Sequence, residues 1–209
     1  MTSCASLHEW VRTLPTFRFP LDMARIPKNG IYFLFEKGER GHSGDRIVRI
    51  GTHTGEGQLY SRLKQHFVTP NKDRSIFRKN IGRALLARAR DPFLADWELD
   101  LTPRMARALH VARIDFEKQK KIEKKVSNYI QDNFSFAVIR VDAKEERLRL
   151  ESRVISTVSL CDDCKPSATW FGNFSPKEKI RKSGLWLVNE LYQEPLGEKD
   201  FIDLKRAVL

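Results

Sequence analysis

Apolar residues along the chain follow two spacings, one typical of strands and one typical of helices. Compact apolar runs at Gly30–Glu36 and Arg46–Thr52 flank the polar, glycine-containing stretch Lys37–Asp45, which predicts two strands joined by a hairpin loop. Both runs carry apolar residues on both faces, so we expect them to be central in a sheet. A third run, Phe134–Val141, predicts one more strand.

Other segments place apolar residues three and four positions apart, which is the period of an amphipathic helix. The predicted helices are Leu7–Leu14, Gln58–Phe67, Ser75–Arg88, Glu117–Gln131, Glu145–Ser159 and Pro176–Lys182. The stretch Phe93–His110 is ambiguous, and Val111–Phe116 is a candidate strand. This order predicts an α/β fold: a small central antiparallel or mixed three-stranded sheet, flanked by helices, with a mainly helical basic insertion.

The length suits a single domain over residues 1–209. We expect its core at about 29–67 and 134–192, with the insertion at about 68–133.

Glu151 occupies a position where the helical pattern predicts an apolar residue. On the helix Glu145–Ser159 it falls in the middle of the apolar stripe. The stripe consists of Leu148, Val154, Ile155 and Val158. A buried carboxylate is costly unless it is paired, hydrogen-bonded or bound to a metal. Glu151 therefore either has a structural partner or serves chemistry.

Two more polar residues, Arg62 and His66, border the apolar stripe of the helix Gln58–Phe67. They lie four residues apart, so they are neighbours on the helix surface that faces the sheet. An arginine that reaches solvent and a histidine bonded to a carbonyl would explain them without chemistry. On the strand Gly30–Glu36, Tyr32 lies on the opposite face from its apolar neighbours, where packing alone would also explain it.

The chain is strongly basic. Its 38 lysines and arginines exceed its 27 aspartates and glutamates, which gives a net charge of +11 and a pI of about 9.7. This balance favours a polyanionic partner, above all a nucleic acid. No uninterrupted apolar run approaches the ~18 residues of a membrane span, and the first residues show no secretory signal. We therefore expect a cytoplasmic protein without a membrane partner.

The chain has three cysteines, Cys4, Cys161 and Cys164, and this odd, low number argues against a disulfide framework. Cys161 and Cys164 have the spacing of zinc ligands. No second CxxC or HxxxH pair is present to complete the four ligands of a structural zinc site. We interpret the segment as a loop with two thiols, with metal binding as the alternative.

An ordered set of residues resembles the GIY-YIG nuclease superfamily. The set begins with Gly30-Ile31-Tyr32 on the first strand and Arg49-Ile50-Gly51 on the second. It continues with Arg62 and His66 on the following helix and ends with Glu151 on a distant helix. The three-letter motif alone is weakly specific, whereas the ordered set on these elements is much more specific.

The likeness covers residues 30–67 and roughly 134–173. The long insertion and the segment Ser75-Ile76-Phe77-Arg78 are most similar to the restriction-endonuclease-like members. The resemblance implies hydrolysis of double-stranded DNA with Mg²⁺ or Mn²⁺, in restriction or in another DNA-defence or repair role. Cutting both strands with one small active site would take a homodimer or sequential nicks.

The resemblance also assigns roles to individual residues. Glu151 would bind the divalent metal, and Arg62 would contact the scissile phosphate through its planar guanidinium. Tyr32 would act as, or relay to, the general base, which requires nearby cations to favour its phenolate. His66 would accept the tyrosine proton or orient the attacking water.

Two positions depart from the family pattern. Arg49 stands where the family has its second tyrosine, and an arginine cannot serve as a base. It could instead bind phosphate, and His53 or Tyr60 could take over the missing role. The family often places an asparagine soon after the metal glutamate, and the nearest counterpart is Asn173. We include Arg49 and Asn173 among the candidate catalytic residues.

DNA affinity is expected from the basic insertion, although some of its cations could simply solvate a helix face. The candidate phosphate contacts are Arg74, Arg78, Lys79, Arg83 and Arg88.

Two rival interpretations stay open. The first is a catalytically inactive, GIY-YIG-derived nucleic-acid-binding protein, which the arginine at position 49 motivates. The second is a basic RNA-associated or structural protein in which the motif is accidental. It predicts that Glu151 is paired with a buried arginine or lysine, and that the candidate residues do not share one cleft. These candidate residues are Tyr32, Arg62, His66 and Glu151.

Overall fold

A four-stranded antiparallel sheet forms the centre of the computed structural model, which describes residues 3–207. Both ends of the expected 1–209 domain therefore lie outside the described residues. The strands are β1 (Thr16–Arg18), β2 (Gly30–Gly41), β3 (Gly44–Gly51) and β4 (Phe134–Arg140), and they lie in the order β1-β4-β2-β3. The expectation of three strands was wrong by one. The missed strand β1 has only one buried side chain, Phe17, which is too short a pattern to show a period.

Helices cover both faces of this sheet. They are α1 (Cys4–Arg12), α2 (Leu59–Phe67), α3 (Ile76–Arg88), α4 (Leu94–Glu98), α5 (Arg104–His110), α6 (Phe116–Asn133), α7 (Lys144–Ser159), α8 (Glu178–Ser183) and α9 (Glu198–Arg206). Short 3₁₀ helices lie at Met23–Arg25, Val111–Arg113, Asp162–Cys164 and Phe171–Phe174. None of the helices in the described part of the chain is long and apolar enough to cross a membrane.

The two faces of the sheet bury separate hydrophobic cores, because side chains alternate along each strand. Tyr32 and Leu34 contribute to the core beneath α2, α3 and α6. Ile31 and Phe33 contribute to the core beneath α1, α7 and α9. The prediction that Tyr32 faces away from its apolar neighbours is confirmed, and Glu151 on α7 belongs to the opposite layer from Arg62 on α2.

The β2–β3 hairpin is longer than predicted. Strand β2 continues to Gly41 and β3 begins at Gly44, so the predicted loop shrinks to a two-residue turn at His42 and Ser43. Both turn residues have positive φ, 50° and 62°, as in the tight turns whose twist matches a hairpin. The polar residues of the predicted loop are instead strand residues, and Arg40 pairs with Asp45 across the strands.

The segment 68–133 is mainly helical, as predicted, but its candidate strand Val111–Phe116 was wrong. Val111–Arg113 is a 3₁₀ helix, and α6 starts at Phe116. The Asp115 side chain accepts a hydrogen bond from the Lys118 backbone N–H at 2.8 Å, which caps this helix. The cap removes Phe116 from the short apolar run that had indicated a strand.

The C-terminal helix α9 packs on α7. Leu204 of α9 is fully buried. The buried Asp200 forms ion pairs with Arg149 and Arg153 of α7. Helix α9 therefore helps to fix the helix that carries Glu151.

Candidate active site at the edge strand

A cavity of about 260 Å³ lies beside the edge strand β3 and joins residues from both layers of the fold. Arg49 comes from β3, Arg62 from α2, and Glu151 from α7. The other lining residues are Ile76, Asn80, Ile155, Leu187, Val188, Asn189 and Glu190. We call this cavity the β3 cleft. It combines two guanidinium groups with two carboxylates.

A bulge in β3 places Arg49 on the Tyr32 face of the sheet. Leu34 pairs with Arg49, but the next residue of β2, Phe35, pairs with Ile47, so Val48 is an extra residue. Because side chains alternate, Arg49 lies on the same face as Leu34, towards α3. Its guanidinium lies 5.3 Å from the ring centre of Phe77 on α3.

Glu151 is half-buried and is anchored by the backbone at the end of β3. Its Oε1 accepts a hydrogen bond from the Thr52 N–H at 3.0 Å. Burial raises the pKa of the Glu151 carboxyl to about 7, although Arg49 and the Thr52 hydrogen bond oppose that rise. No ion pair among the described residues involves Glu151, so the paired arginine or lysine expected of a structural carboxylate is missing from this part of the chain.

Arg62 is half-buried and spans two cavities. Its Nη1 donates to the Arg74 carbonyl at 3.1 Å and to the Gln65 side chain at 3.2 Å. It lines the β3 cleft and also a neighbouring cavity of about 260 Å³ that includes His53. Its guanidinium is thus fixed by neutral oxygens rather than by a carboxylate, which leaves its charge available to an anion.

Arg49 is buried and is held by the segment that follows α8. Its Nη1 donates to the Trp186 carbonyl at 2.5 Å. Trp186 is itself fixed, because its N–H donates to the Val48 carbonyl at 2.8 Å and its indole N–H donates to Glu36 at 2.8 Å. The arginine at the family's tyrosine position is therefore a rigid part of the cleft wall.

Two side-chain donors on cleft-lining residues have no hydrogen-bond partner within the described residues. They are Arg49 Nε and Asn80 Nδ2, and both are buried. A buried unpaired donor is costly, and such groups are commonly matched by a ligand or by water. These unpaired donors, on Arg49 and Asn80, together with the charge of Arg62, favour an anion as the occupant of the cleft.

Tyr32 and His66 lie together, but they are fully buried and do not line the β3 cleft. Tyr32 Oη and His66 Nε2 are 2.8 Å apart, and His66 Nδ1 lies 2.7 Å from Ser75 Oγ. Burial, followed by the charges of Arg49, Arg62 and Arg78, lowers the pKa of His66 well below its usual value. His66 is therefore neutral at pH 7 and can accept the phenol proton.

The hydroxyl of Tyr32 lies under the backbone that anchors Glu151. A Cβ added to Gly51 would lie 2.2 Å from the Tyr32 hydroxyl, so only glycine allows this close approach. The next residue, Thr52, donates the hydrogen bond to Glu151. Gly51 contacts the Tyr32 hydroxyl and its neighbour Thr52 binds Glu151, so these two backbone residues connect the buried Tyr32–His66 pair to the cleft.

Asn173 does not join these residues. Its side chain donates to the carbonyls of Ser167 and Ala168 at 3.0 and 3.1 Å, and it does not line the β3 cleft. The structure therefore places it in a turn-stabilising position, and Asn80 on α3 is the asparagine that lines the cleft. Sequence reasoning missed Asn80 and Glu190, because neither lies near the motif in the chain.

Three of the five basic residues predicted to contact DNA are buried in the protein. Arg78 pairs with Glu123 at 2.7 Å, and Arg83 pairs with Glu98 at 2.6 Å. Lys79 donates to the Glu98 carbonyl at 2.7 Å. The prediction that these three form a DNA-binding surface was wrong, because α3 is a central helix whose charges are neutralised internally.

Arg74 and Arg88 are the two predicted phosphate contacts that are exposed. The Arg88 guanidinium lies over the rings of Phe171 and Phe174, at 5.9 and 5.2 Å from their centres. The backbone carbonyl of Arg74 is bound to Arg62, which places this exposed residue beside the cleft.

We expect Arg78→Ala to lower the free energy of unfolding by about 3–5 kcal/mol, because it leaves Glu123 buried without its partner. Arg74→Ala is the matched control. It should change stability by under about 0.5 kcal/mol and reduce the salt slope of DNA binding by about 1. Urea unfolding and binding at several salt concentrations measure both effects. Wild-type stability with weakened DNA binding in the Arg78 variant would contradict the structural role.

Comparison with known protein families shows to which family this chain belongs. A model of the GIY-YIG domain matches residues 5–208. The chain belongs to the GIY-YIG domain family. The matched range includes the helical segment 68–133 and reaches both α1 and α9. No curated protein and no solved structure matches the chain.

The GIY-YIG domain is a nuclease domain. The β3 cleft is therefore compared with the needs of phosphodiester hydrolysis. Arg49 comes from β3, which carries the second half of the GIY-YIG motif, Arg62 comes from α2, and Glu151 comes from the distant helix α7. Residues of α3 and of the segment 187–190 complete the lining. The second tyrosine of that motif is absent here, and the buried Arg49 occupies its place.

Proposed function

We propose that the protein is a divalent-metal-dependent endonuclease that hydrolyses DNA in the β3 cleft. The observation that carries this proposal is the meeting of Glu151, Arg49 and Arg62 in one cavity, from three separate elements. A carboxylate for a metal and two guanidinium groups for a phosphate are the charges that phosphodiester hydrolysis requires.

The residues of the cleft fit a hard divalent cation. Glu151 is a partly buried carboxylate with one oxygen held by Thr52, and burial raises its pKa to about 7. Glu190 offers a second carboxylate in the same cavity. Mg²⁺ and Mn²⁺ commonly use one or two carboxylates with waters as the remaining ligands. When bound, such an ion would stabilise negative charge on the phosphate and on the leaving oxygen.

The protein groups around this position hold and orient the phosphate. Arg62 can offer a planar pair of donors to two phosphate oxygens. Arg49 Nε and Asn80 Nδ2 are buried donors that lack a partner within the described residues, and a phosphate oxygen would satisfy them. In this interpretation Arg49, at the position of the family's second tyrosine, binds phosphate and does not act as a base.

The buried positions of Tyr32 and His66 favour a proton relay between these two residues over direct removal of a proton from the attacking water. The Tyr32 hydroxyl is closed off from the cleft, so it does not contact a water there in this conformation. Neutral His66 can accept the phenol proton at Nε2 while its Nδ1–H donates to Ser75. His53, a cavity neighbour of Arg62, is a second acceptor that lies closer to solvent.

The substrate that we propose is double-stranded DNA, and the biological roles that we favour are restriction or another DNA-defence or repair pathway. The exposed Arg74 lies beside the cleft and would contact the backbone next to the cut. Cleavage of both strands by the β3 cleft would take a homodimer or two successive nicks.

Supercoiled plasmid provides the test. We expect the purified protein to nick or linearise it with Mg²⁺ or Mn²⁺ and to leave it intact with EDTA, since the cleft charges require a cation. Gel analysis followed by mapping of the ends measures this outcome. Tight, salt-sensitive DNA binding without cutting in any divalent ion would instead support the inactive binding protein, in which Arg49 has replaced a needed tyrosine.

A further inference from the structure

All three cysteines of the chain converge on two histidines, on the side of the sheet that α1 and α7 cover. The ligand atoms of Cys4, His8, His42 and Cys164 all lie within 4.8 Å of one another. The fifth member, Cys161, has its Sγ 3.5 Å from His42 Nε2. We call these five residues the cysteine cluster. None of them lines the β3 cleft.

The cluster joins three parts of the chain that are far apart in sequence. Cys4 is the first residue of α1, and the Ser3 side chain caps that helix. His42 lies in the turn between β2 and β3. Cys161 precedes the 3₁₀ helix Asp162–Cys164 that follows α7, and Cys164 is the last residue of that helix. The sequence therefore contains one CxxC pair, and the fold supplies the remaining ligands from distant positions.

The turn that carries His42 has an unusual backbone conformation. His42 and Ser43 both have positive φ, in a two-residue turn that ordinarily favours asparagine and glycine. Arg12 holds the turn, donating to the carbonyls of Gly41 and His42 at 3.2 and 2.9 Å. A Cβ on Gly41 would lie 3.1 Å from Cys164 Sγ, so the hairpin tip approaches that cysteine closely. A histidine in a strained backbone position commonly marks a functional constraint.

Each ring nitrogen of His8 lies near a backbone group and also near a cysteine sulfur, with Cys4 Sγ 3.4 Å from Nδ1 and Cys164 Sγ 3.5 Å from Nε2. Its Nδ1 lies 2.9 Å from the Cys4 carbonyl, and its Nε2 accepts a hydrogen bond from the Ile47 N–H at 3.1 Å. Ile47 adjoins the β3 bulge, where the ladder with β2 shifts register. Using Nε2 for a metal would leave the Ile47 amide without this acceptor. Because Nε2 already accepts this backbone hydrogen bond, we assign the imidazole ligand to His42 and a supporting role to His8.

We propose that Cys4, His42, Cys161 and Cys164 bind a structural zinc ion. Three thiolates and one imidazole form a standard tetrahedral zinc set, and such soft ligands disfavour Mg²⁺ and Mn²⁺. Zinc bonds of about 2.3 Å to sulfur and 2.0 Å to nitrogen place neighbouring ligand atoms roughly 3.5–3.8 Å apart. The 3.5 Å separation of Cys161 Sγ and His42 Nε2 fits that geometry.

The zinc ion would fasten α1, the hairpin tip and the end of α7 to one another. Cys161 follows Glu151 by only ten positions, and α7 ends at Ser159. Fixing that end of the helix would help to hold Glu151 at the edge of β3. The ion would be a structural element distinct from the catalytic cation, and EDTA would then affect both stability and cleavage.

The first test is the metal content of the full chain, purified without chelators or metal-affinity resin. We expect about one zinc ion per chain by elemental analysis, as structural sites retain their metal. Replacement by Co²⁺ should give the visible absorption of a tetrahedral site and a near-ultraviolet thiolate band. Both readouts use the unaltered protein and do not depend on nuclease activity.

Variants then test the assignment of the ligands. His42→Ala and Cys161→Ser should each lose most of the zinc, whereas His110→Ala, which alters a histidine outside the cluster, should retain it. Circular dichroism identifies any variant that fails to fold. If Cys161→Ser keeps its zinc and its Co²⁺ spectrum, Cys161 is not the fourth ligand and the assignment is overturned.

Stability provides an independent readout. Removal of zinc should lower the Tm of the wild-type protein, and added zinc should restore it. Wild-type protein that purifies without zinc and shows no rise in Tm with added zinc would overturn the proposal. A stable disulfide between Cys4 and Cys164, detected by mass spectrometry under non-reducing conditions, would overturn it as well.

Discussion

Glu151→Gln is expected to abolish DNA cleavage and at the same time to make the protein more stable at pH 8. The carboxylate is half-buried, and burial raises its pKa to about 7. At pH 8 the folded protein therefore holds an ionised group that the unfolded chain would solvate better. A glutamine has nearly the same shape, keeps an oxygen for the Thr52 N–H, and carries no charge.

Because folding raises the pKa of Glu151, the contribution of this carboxyl to the stability of the protein falls as pH rises. Between about pH 4.5 and pH 7 the folded state binds more protons at Glu151 than the unfolded state does. The contribution of Glu151 to stability therefore falls as pH rises through this window, and the loss is complete above it. After allowance for partial exposure, we expect Glu151→Gln to gain roughly 1–3 kcal/mol at pH 8 and almost nothing at pH 4.

Urea unfolding at both pH values, in the absence of divalent ions, measures this gain. Glu145→Gln on the exposed first turn of the same helix is the matched control, because it removes the same charge without changing a buried group. It should lose a few tenths of a kcal/mol, about the contribution of one charge near a helix N-terminus. A destabilised Glu151→Gln variant that still cuts DNA would contradict the assignment of this carboxylate to chemistry.

Arg62→Ala should reduce the rate of DNA cleavage at least about 100-fold, while DNA binding weakens far less. Arg62 lines the cleft with Glu151, and neutral oxygens hold its guanidinium in place. Its loss removes charge stabilisation that matters most when negative charge builds up on the phosphate. Arg62→Lys should recover only part of the rate, because an ammonium group lacks the planar pair of donors.

Single-turnover cleavage, with the enzyme in excess over plasmid, separates this effect from weakened binding. Lys64→Ala, an exposed cation on the same helix, is the control for a loss of net charge. The Lys64 variant should cut at nearly the wild-type rate. Equal losses in the two variants would indicate that Arg62 acts only through general electrostatic attraction.

Local sequence patterns were sufficient for most of the fold, because alternation and helical period report burial directly. The hairpin, α2, α3, α6, β4 and α7 all lie close to their predicted positions. Glu151, Arg62 and Tyr32 stood out since each broke, or departed from, a strong apolar pattern. The short strand β1 lacked such a pattern, and its place in the sheet depends on pairing with β4.

Local sequence patterns could not predict contacts between segments that are far apart in the chain. Arg78 and Glu123 lie on two helices and are 45 positions apart in the sequence, so a run of basic residues looked like a DNA-binding surface. Likewise, the ligands that could complete the CxxC pair lie more than a hundred positions away, at Cys4 and His42. Asn80 joins the cleft only through the packing of α3.

The most direct test of the account is whether Glu151 binds the divalent ion of the cleft. Mn²⁺ is titrated into zinc-loaded wild-type protein and into Glu151→Gln, and free Mn²⁺ is measured by electron paramagnetic resonance. We expect the wild type to lower the free Mn²⁺ signal at concentrations at which the variant does not. Equal Mn²⁺ binding by the two proteins would contradict it.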